Sequence, residues 1–152
     1  MSEVPDVFRQ IAERMVQVTP QAAALGMRFV SVSLARGALE VPWREDLVGD
    51  PDTGVIAGGV VTTLLDHTCG QAVMAAMGAP APIATLDLRI DYMRAAEPGL
   101  DIKARAHCYK LTHSIAFVRA TAYDRDVDDP VATAQATFMF TGPAEAPPES
   151  AA

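Results

Sequence analysis

The segment from Gly58 to Met77 constrains the fold of this chain more than any other feature. It is apolar nearly all round, contains a single acid, Asp66, and is followed by the helix-ending residues Gly78 and Pro80. An amphipathic surface helix would show one polar face, so this pattern predicts one long buried helix. Because such a helix offers no face to water, the rest of the chain must wrap around it.

The segments on both sides of this helix are predicted to form strands. Between Met27 and Trp43, apolar residues at alternate positions indicate a hairpin that turns at Gly37. After Pro82 the period of two continues and predicts four more strands, near residues 84–92, 102–109, 114–123 and 131–141. Short connections between consecutive strands imply an antiparallel meander.

The strand at 84–92 shows this alternation most clearly. Its residues fall into two sets that point to opposite faces of the sheet. The two sets are Ala84, Leu86, Leu88, Ile90 and Tyr92 against Thr85, Asp87, Arg89 and Asp91.

A further helix is predicted near the beginning of the chain. Pro5 and Asp6 suit a first helical turn, apolar residues recur at helical spacing up to Val18, and Pro20 ends the pattern. The predicted fold is therefore α+β, with an antiparallel sheet of about six strands wrapped around one long buried helix. We expect a single domain over residues 1–142 and a disordered tail over 143–152.

Charge and cysteine content exclude several classes of protein. A net charge of -7 argues against nucleic-acid binding, which favours a basic surface. No apolar run reaches the roughly 18 residues that cross a bilayer, and the first residues lack the apolar segment of a signal peptide. Two distant cysteines, Cys69 and Cys108, form no CxxC pair, which predicts neither a disulfide framework nor a metal site. We therefore expect a cytoplasmic protein.

Two glycines, Gly58 and Gly59, open the long helix and are the first candidates for chemistry. They let another molecule approach the backbone closely and leave N–H groups pointing outward at the positive end of the helix dipole. Such donors suit an anion or a developing oxyanion. The alternative is that the glycines only allow a tight turn into the helix.

Asp66 is the second candidate, because it is an isolated acid in an apolar helix. An unpaired carboxylate in such surroundings is costly, and buried acids of this kind are often functional. The structural alternative is a hydrogen bond to Thr62, Thr63 or His67.

The spacing between these candidates has a consequence for assembly. Asp66 follows Gly58 by eight residues, so roughly 12 Å separate them along the helix axis. One carbonyl group cannot contact both within a single chain. If both serve one reaction, the aspartate comes from a second subunit of a two-fold dimer.

These residues resemble a known family. Residues 54–59, Gly-Val-Ile-Ala-Gly-Gly, followed by six residues and Asp66, are similar to the HGG-x₆-D signature of the hotdog-fold acyl-CoA thioesterases, in particular the PaaI-like group of phenylacetate degradation. Residues 84–94 resemble the strand motif TxDLxxxYLRPA of that group. The resemblance covers about residues 5–141 in element order.

The resemblance implies hydrolysis of an aryl- or fatty-acyl-CoA thioester to a free acid and coenzyme A, with no cofactor beyond the coenzyme A of the substrate. Gly58 or Gly59 would polarise the thioester carbonyl. Asp66 would act as nucleophile or general base, and Thr85 would help to place the water or the acid. We place Val55, Ile56 and Ala57, which precede the glycines, among the substrate-binding residues.

One position departs from the family pattern, because Ala57 stands where the family usually has histidine. This departure motivates a second hypothesis, a non-catalytic hotdog module that binds acyl-CoA or only assembles. A hotdog hydratase ranks last, since no helix-borne pairing of histidine and carboxylate is evident.

Basic residues and one strand edge complete the predictions. Arg89, Arg94, Lys103 and Arg105 are candidates for contacting the phosphates of coenzyme A. The strand from Ile83 to Met93 is a plausible edge for continuing the sheet across a dimer two-fold. A dimer of dimers is expected from the resemblance and from the second face of the sheet.

Overall fold

The computed structural model describes residues 3–142, in which one long helix packs against a six-stranded antiparallel sheet. A short two-stranded sheet and a 3₁₀ turn, Glu45–Leu47, lie beside it. The elements in chain order are α1 (Asp6–Val18), α2 (Pro20–Ala24), β1 (Arg28–Ser33), β2 (Arg36–Val41), β3 (Val48–Asp50), β4 (Val55–Ile56), α3 (Gly58–Met77), β5 (Ile83–Tyr92), β6 (Ile102–Leu111), β7 (Ile115–Tyr123) and β8 (Ala132–Phe140).

Helix α3 has the span that its apolar pattern predicts. Leu64, Leu65 and Cys69 are fully buried, and the helix packs mainly on β2, β6 and β7. It ends at Gly78, whose φ of +73° is the left-handed conformation that glycine adopts without a steric penalty. The predicted α+β architecture, a sheet around one buried helix, is confirmed.

The strand order is β1-β2-β6-β7-β8-β5, with every neighbouring pair antiparallel. Strands β6, β7 and β8 form the predicted meander. Strand β5 does not pair with β6, as a simple meander would require, but with β8, so the connection 93–101 crosses from one side of the sheet to its interior. As a result β5 is an edge strand, as predicted.

The first hairpin turns earlier than expected. The turn lies between β1 and β2 at Leu34 and Ala35, and Ala35 has a φ of +57°. Gly37 is instead a residue of β2, where a Cβ atom would lie 2.5 Å from Oε1 of Gln71. The glycine is explained by this close approach of a side chain from α3, and not by a turn.

The N-terminal helix and the segment 44–54 contain elements that the sequence pattern did not predict. Pro20 ends α1 as expected, but it also begins the short helix α2, because proline is tolerated in a first helical turn. Residues 48–50 pair with 55–56 in the two-stranded sheet that leads into α3. Within residues 3–142 no helix is long and apolar enough to span a membrane. The tail predicted to be disordered lies outside the described residues.

Candidate active site

The N-terminus of α3 presents free backbone donors. Within residues 3–142 the N–H groups of Gly58 and Gly59 have no hydrogen-bond acceptor, and Ala57 provides no side-chain cap. A Cβ at Gly59 would meet no atom within 4 Å, and one at Gly58 would meet Tyr92 only at 3.7 Å. Neither φ is positive. A tight turn therefore does not explain the two glycines, and the backbone is open to another molecule.

The three residues before the glycines hold this terminus in place. The N–H of Ala57 donates to the carbonyl oxygen of Leu47 at 2.9 Å, and Gly49 lies so close to Ala57 that a Cβ there would be 2.8 Å from its Cα. Ile56 is buried in the core, whereas Val55 and Ala57 are half-buried. Strands β3 and β4 thus position the start of α3 from one side.

Tyr92, for which the sequence pattern predicts no functional role, supports the same terminus from the other side. Its hydroxyl donates to the carbonyl oxygen of Gly58 at 2.8 Å and lies 2.6 Å from Oγ1 of Thr62. The family motif that residues 84–94 resemble has a tyrosine at this position. That match is the sequence signal that could have identified Tyr92 as functional. Tyr92 connects the end of β5 to the beginning of α3.

Asp66 and Thr85 are brought together, as the resemblance implied. The hydroxyl of Thr85 donates to Oδ1 of Asp66 at 2.7 Å. The alternative partners within the helix are engaged elsewhere, because Thr62 and Thr63 donate to the carbonyl oxygens of Gly58 and Gly59. Asp66 is half-buried and Thr85 is exposed, so the pair lies at the open edge of the sheet. A carboxylate held in this way is available to a ligand.

A β-bulge makes this contact possible. Opposite β8 the register shifts between Thr85 and Asp87, so that Leu86 is an extra residue. The shift puts Thr85, which pairs with Phe138 of β8, on the same face of the sheet as Leu88 and Ile90. It leaves Leu86 58% exposed. The strict alternation predicted for 84–92 is therefore wrong at Thr85, because a bulge reverses the facing of the residues on one side of it.

The two groups remain far apart within one chain. Helix α3 is continuous from Gly58 to Met77, so Gly58 and Asp66 are separated by roughly 12 Å along its axis. The chain thus holds half of a site at each of two places along β5: the donors beside Tyr92, and the carboxylate beside Thr85.

A cavity of about 190 Å³ opens next to Asp66, between α1, α3 and the sheet. Its polar lining includes His67 and Gln71, and burial lowers the pKa of His67. Cys69, the next candidate nucleophile on this helix, is fully buried, which raises the pKa of its thiol to about 12. The cysteine is therefore not available as a thiolate.

The four basic candidates do not gather at one place. Arg94 forms a bidentate ion pair with Asp124, at 2.6 and 2.9 Å, and this contact holds the pKa of Asp124 well below its usual range. Arg89 lies on β5, 3.4 Å from Asp91. Lys103 and Arg105 lie three strands away on β6, and the guanidinium of Arg105 lies 5.5 Å from the ring centroid of Tyr123.

Comparisons with known proteins give matches over the segment that contains Gly58, Asp66 and Thr85. A family model described as the thioesterase superfamily matches residues 53–131. Over 79 residues the chain is 35% identical to a Halobacterium salinarum protein named as a candidate esterase; the match covers 50% of this chain and 52% of that protein, so the chain spans about half the length of this curated relative.

Solved structures extend the similarity to most of the chain. A crystal structure of a Pseudomonas aeruginosa protein shares 34% sequence identity and a TM-score of 0.80, over 88% of this chain and 99% of that one. The Escherichia coli PaaI protein from the phenylacetic acid degradation operon has the same fold, with a TM-score of 0.77 at 16% identity, over 88% of this chain and 92% of that one.

Proposed function

Because this chain belongs to the thioesterase superfamily, we propose that it hydrolyses an aryl- or fatty-acyl-CoA thioester to a free acid and coenzyme A. The observation that carries the proposal is the Asp66–Thr85 hydrogen bond on a helix whose first N–H groups face open space. Coenzyme A is then part of the substrate, and no other cofactor is needed.

The N-terminus of α3 supplies the electrophilic half of the site. The N–H groups of Gly58 and Gly59 would donate to the thioester carbonyl oxygen, which becomes an oxyanion when the carbonyl carbon is attacked. The positive end of the helix dipole favours the same negative charge. Tyr92 holds the carbonyl of Gly58 and so positions these donors.

Asp66 supplies the nucleophilic half. As general base it would take a proton from water, whose oxygen adds to the carbonyl carbon; the C–S bond then breaks and the thiolate of coenzyme A takes up a proton. As nucleophile it would form an anhydride that water hydrolyses, with the same products. Thr85 keeps one carboxylate oxygen fixed, which leaves the other for either role.

A dimer would bring the two halves together. Edge strand β5 and the residue that follows it expose large apolar side chains, Leu86 at 58%, Tyr92 at 51% and Met93 at 57%. Such an edge suits pairing with a second copy. If two copies of β5 pair antiparallel about a two-fold axis between Leu88 and Arg89, Thr85 of one chain lies opposite Tyr92 of the other. Asp66 of one chain would then face the free N–H groups of the other.

The proposal also covers the residues that contact the coenzyme A phosphates, the location of the enzyme and its assembly. Lys103, Arg105 and Arg89 are retained as candidates for the phosphates, whereas the ion pair with Asp124 gives Arg94 a structural role instead. We place the enzyme in the cytoplasm and expect two dimers to associate into a tetramer.

A second candidate function rests on Ala57. The family usually has histidine at this position, and a chain without it could bind acyl-CoA and assemble without turnover. Half-buried Ala57 packs against Gly49 and offers no proton-transfer group.

Steady-state assays on a panel of aryl- and fatty-acyl-CoA thioesters, with the released thiol as readout, separate the two functions. We expect turnover well above buffer on at least one member. Calorimetry with a non-hydrolysable acyl-CoA analogue is the companion measurement. Tight binding without turnover on any thioester would favour the non-catalytic module, and neither binding nor turnover would refute both.

A further inference from the structure

The side chain of Gln71 is buried without a hydrogen-bond partner. The residue is 9% exposed, and within residues 3–142 both Nε2 and Oε1 lack a partner. Buried polar atoms in folded proteins nearly always have one, so an orphaned amide in a core requires an explanation. A ligand that supplies the missing partners is the explanation that the surroundings of this amide favour.

Gln71 lines the cavity that opens beside Asp66. It follows Asp66 by five residues on the same continuous helix, which places it roughly 7.5 Å further along the axis. Most of the remaining wall is apolar and includes Phe8, Val16 and Phe138. Asp66 and Gln71 therefore line the same cavity, and Gln71 is the more buried of the two.

The sheet makes room for this amide. Gly37 of β2 has no Cβ, and a Cβ there would lie only 2.5 Å from Oε1 of Gln71. Any larger residue at position 37 would therefore displace the amide. The position of the amide is thus defined by two elements, α3 and β2.

We propose, on the basis of the proposed thioesterase function, that the cavity takes the acyl part of the substrate and that Gln71 selects an acyl group bearing a hydroxyl or a comparable neutral group that both donates and accepts hydrogen bonds. The amide offers both a donor and an acceptor, and a hydroxyl group can accept from the first and donate to the second. Gln71 is in this sense a specificity-determining residue.

Charge and size narrow the class of acyl group. Among the described lining residues there is no Lys or Arg, and Asp66 is acidic, so an anionic acyl group has no partner here. Burial lowers the pKa of His67, which keeps its imidazole neutral at pH 7. The cavity volume of about 190 Å³ is small beside the roughly 300–1,000 Å³ of typical ligand pockets, which favours a compact group over a long fatty chain.

Matched substrates test the selection. In each pair a hydroxyl replaces a methyl group of similar size: 6-hydroxyhexanoyl-CoA against heptanoyl-CoA, and 4-hydroxybenzoyl-CoA against 4-methylbenzoyl-CoA. We expect wild-type kcat/KM to favour the hydroxyl at least about tenfold in one pair, because the methyl analogue leaves the amide unpaired. Gln71→Leu should abolish this preference, and Gly37→Ala should reduce it by displacing the amide. Met74→Leu, a change in the same cavity, is the control and should preserve it. If the preference of Gln71→Leu for the hydroxyl substrate stays within twofold of the wild-type preference, the proposal is overturned.

A binding measurement keeps this test independent of catalysis. Phenol and toluene, added at equal concentration, should both raise the melting temperature by binding the folded state, with phenol the stronger on wild type and toluene the stronger on Gln71→Leu. If no thioester is turned over, the proposed function fails while this comparison still decides the role of Gln71. The proposal is overturned if phenol and toluene shift the melting temperature equally, or if the same compound gives the larger shift on both wild type and Gln71→Leu.

Stability of the variant gives a further check. Gln71→Leu should melt at the same temperature as wild type or higher, because it removes a buried amide that has no partner. A melting temperature more than 5 °C lower, or a failure to fold, would mean that the amide is paired within the chain, which would also overturn the proposal.

Discussion

Thr85 donates a hydrogen bond of 2.7 Å to Asp66, and this contact joins edge strand β5 to the middle of helix α3. The bulge at Leu86 turns Thr85 toward the helix. The proposed role of Asp66 as base or nucleophile requires a fixed carboxylate, and Thr85 is the residue that fixes it.

Replacement of Thr85 tests whether this contact serves the reaction. We expect Thr85→Ala to lower kcat about tenfold with little change in KM, because the carboxylate loses one hydrogen bond but keeps its charge. Thr85→Ser is the matched control and should retain most of the activity. Equal losses in both variants would contradict the role of the hydroxyl.

Asp66→Asn isolates the charge of the carboxylate from its shape. The variant should fold and assemble as wild type does, since asparagine can still accept a hydrogen bond from Thr85. We expect kcat to fall at least roughly 10²-fold, the scale of a lost general base. Circular dichroism and light scattering establish the fold and assembly; an unfolded variant would indicate a structural role, and normal turnover would refute the assignment.

Tyr92→Phe tests the support of the oxyanion donors. Loss of the hydroxyl removes one hydrogen bond to the carbonyl of Gly58, which keeps the bond from Thr62, and should lower the free energy of unfolding by about 1 kcal/mol. It should also lower kcat/KM several-fold, because the first turn of α3 is less well positioned. Tyr109→Phe, another exposed tyrosine, is the control. Unchanged kinetics in Tyr92→Phe would show that the donors are held by other contacts.

The long helix is predictable because its local signals agree with its environment. Gly58-Gly59 and Gly78 mark its two ends, and the apolar residues between them require burial on every side. Short-range motifs also carry the resemblance to the hotdog-fold thioesterases. The match to the thioesterase superfamily confirms this family, and the fold is shared with the Escherichia coli PaaI protein. The candidate pair of Asp66 and Thr85 follows from the same motifs.

The features that escape prediction depend on contacts between distant residues. The bulge at Leu86 arises from pairing with β8, which a period-two pattern cannot contain. A glycine in an alternating segment predicts a turn at residue 37, whereas the actual reason is Gln71, which lies on another element. The orphaned amide of Gln71 is invisible in sequence, because a single glutamine in a helix looks like an ordinary polar position.

Acid stability tests the ion pair that gives Arg94 its structural role. Asp124, with its side chain 1% exposed, also accepts hydrogen bonds from the backbone N–H groups of Glu97 and Arg125. The Arg94 contact lowers the folded-state pKa of Asp124, so its stabilisation is present above the unfolded pKa near 3.9 and is lost as the pH falls toward the lower folded value.

Asp124→Asn should therefore lower the free energy of unfolding at pH 7 by about 3 kcal/mol. The difference from wild type should shrink below about pH 4, as measured by urea unfolding from pH 7 to pH 3. The exposed pair of Arg89 and Asp91 provides the control, since Asp91→Asn should change stability by less than about 0.5 kcal/mol. If the difference in free energy of unfolding between Asp124→Asn and wild type does not change with pH, this account is contradicted.

Complementation between two inactive variants tests the shared site most directly. One chain carries Asp66→Asn and the other Gly59→Leu, a change that meets no atom of its own chain within 4 Å at Cβ. Each protein alone should be inactive. In a mixed dimer, one site pairs an intact Asp66 with an intact Gly59 and the other contains both lesions. We predict about half of the wild-type activity per mixed dimer, as an isologous two-fold interface requires. Mixed dimers that form, as shown by mass spectrometry, but restore no activity would contradict the account.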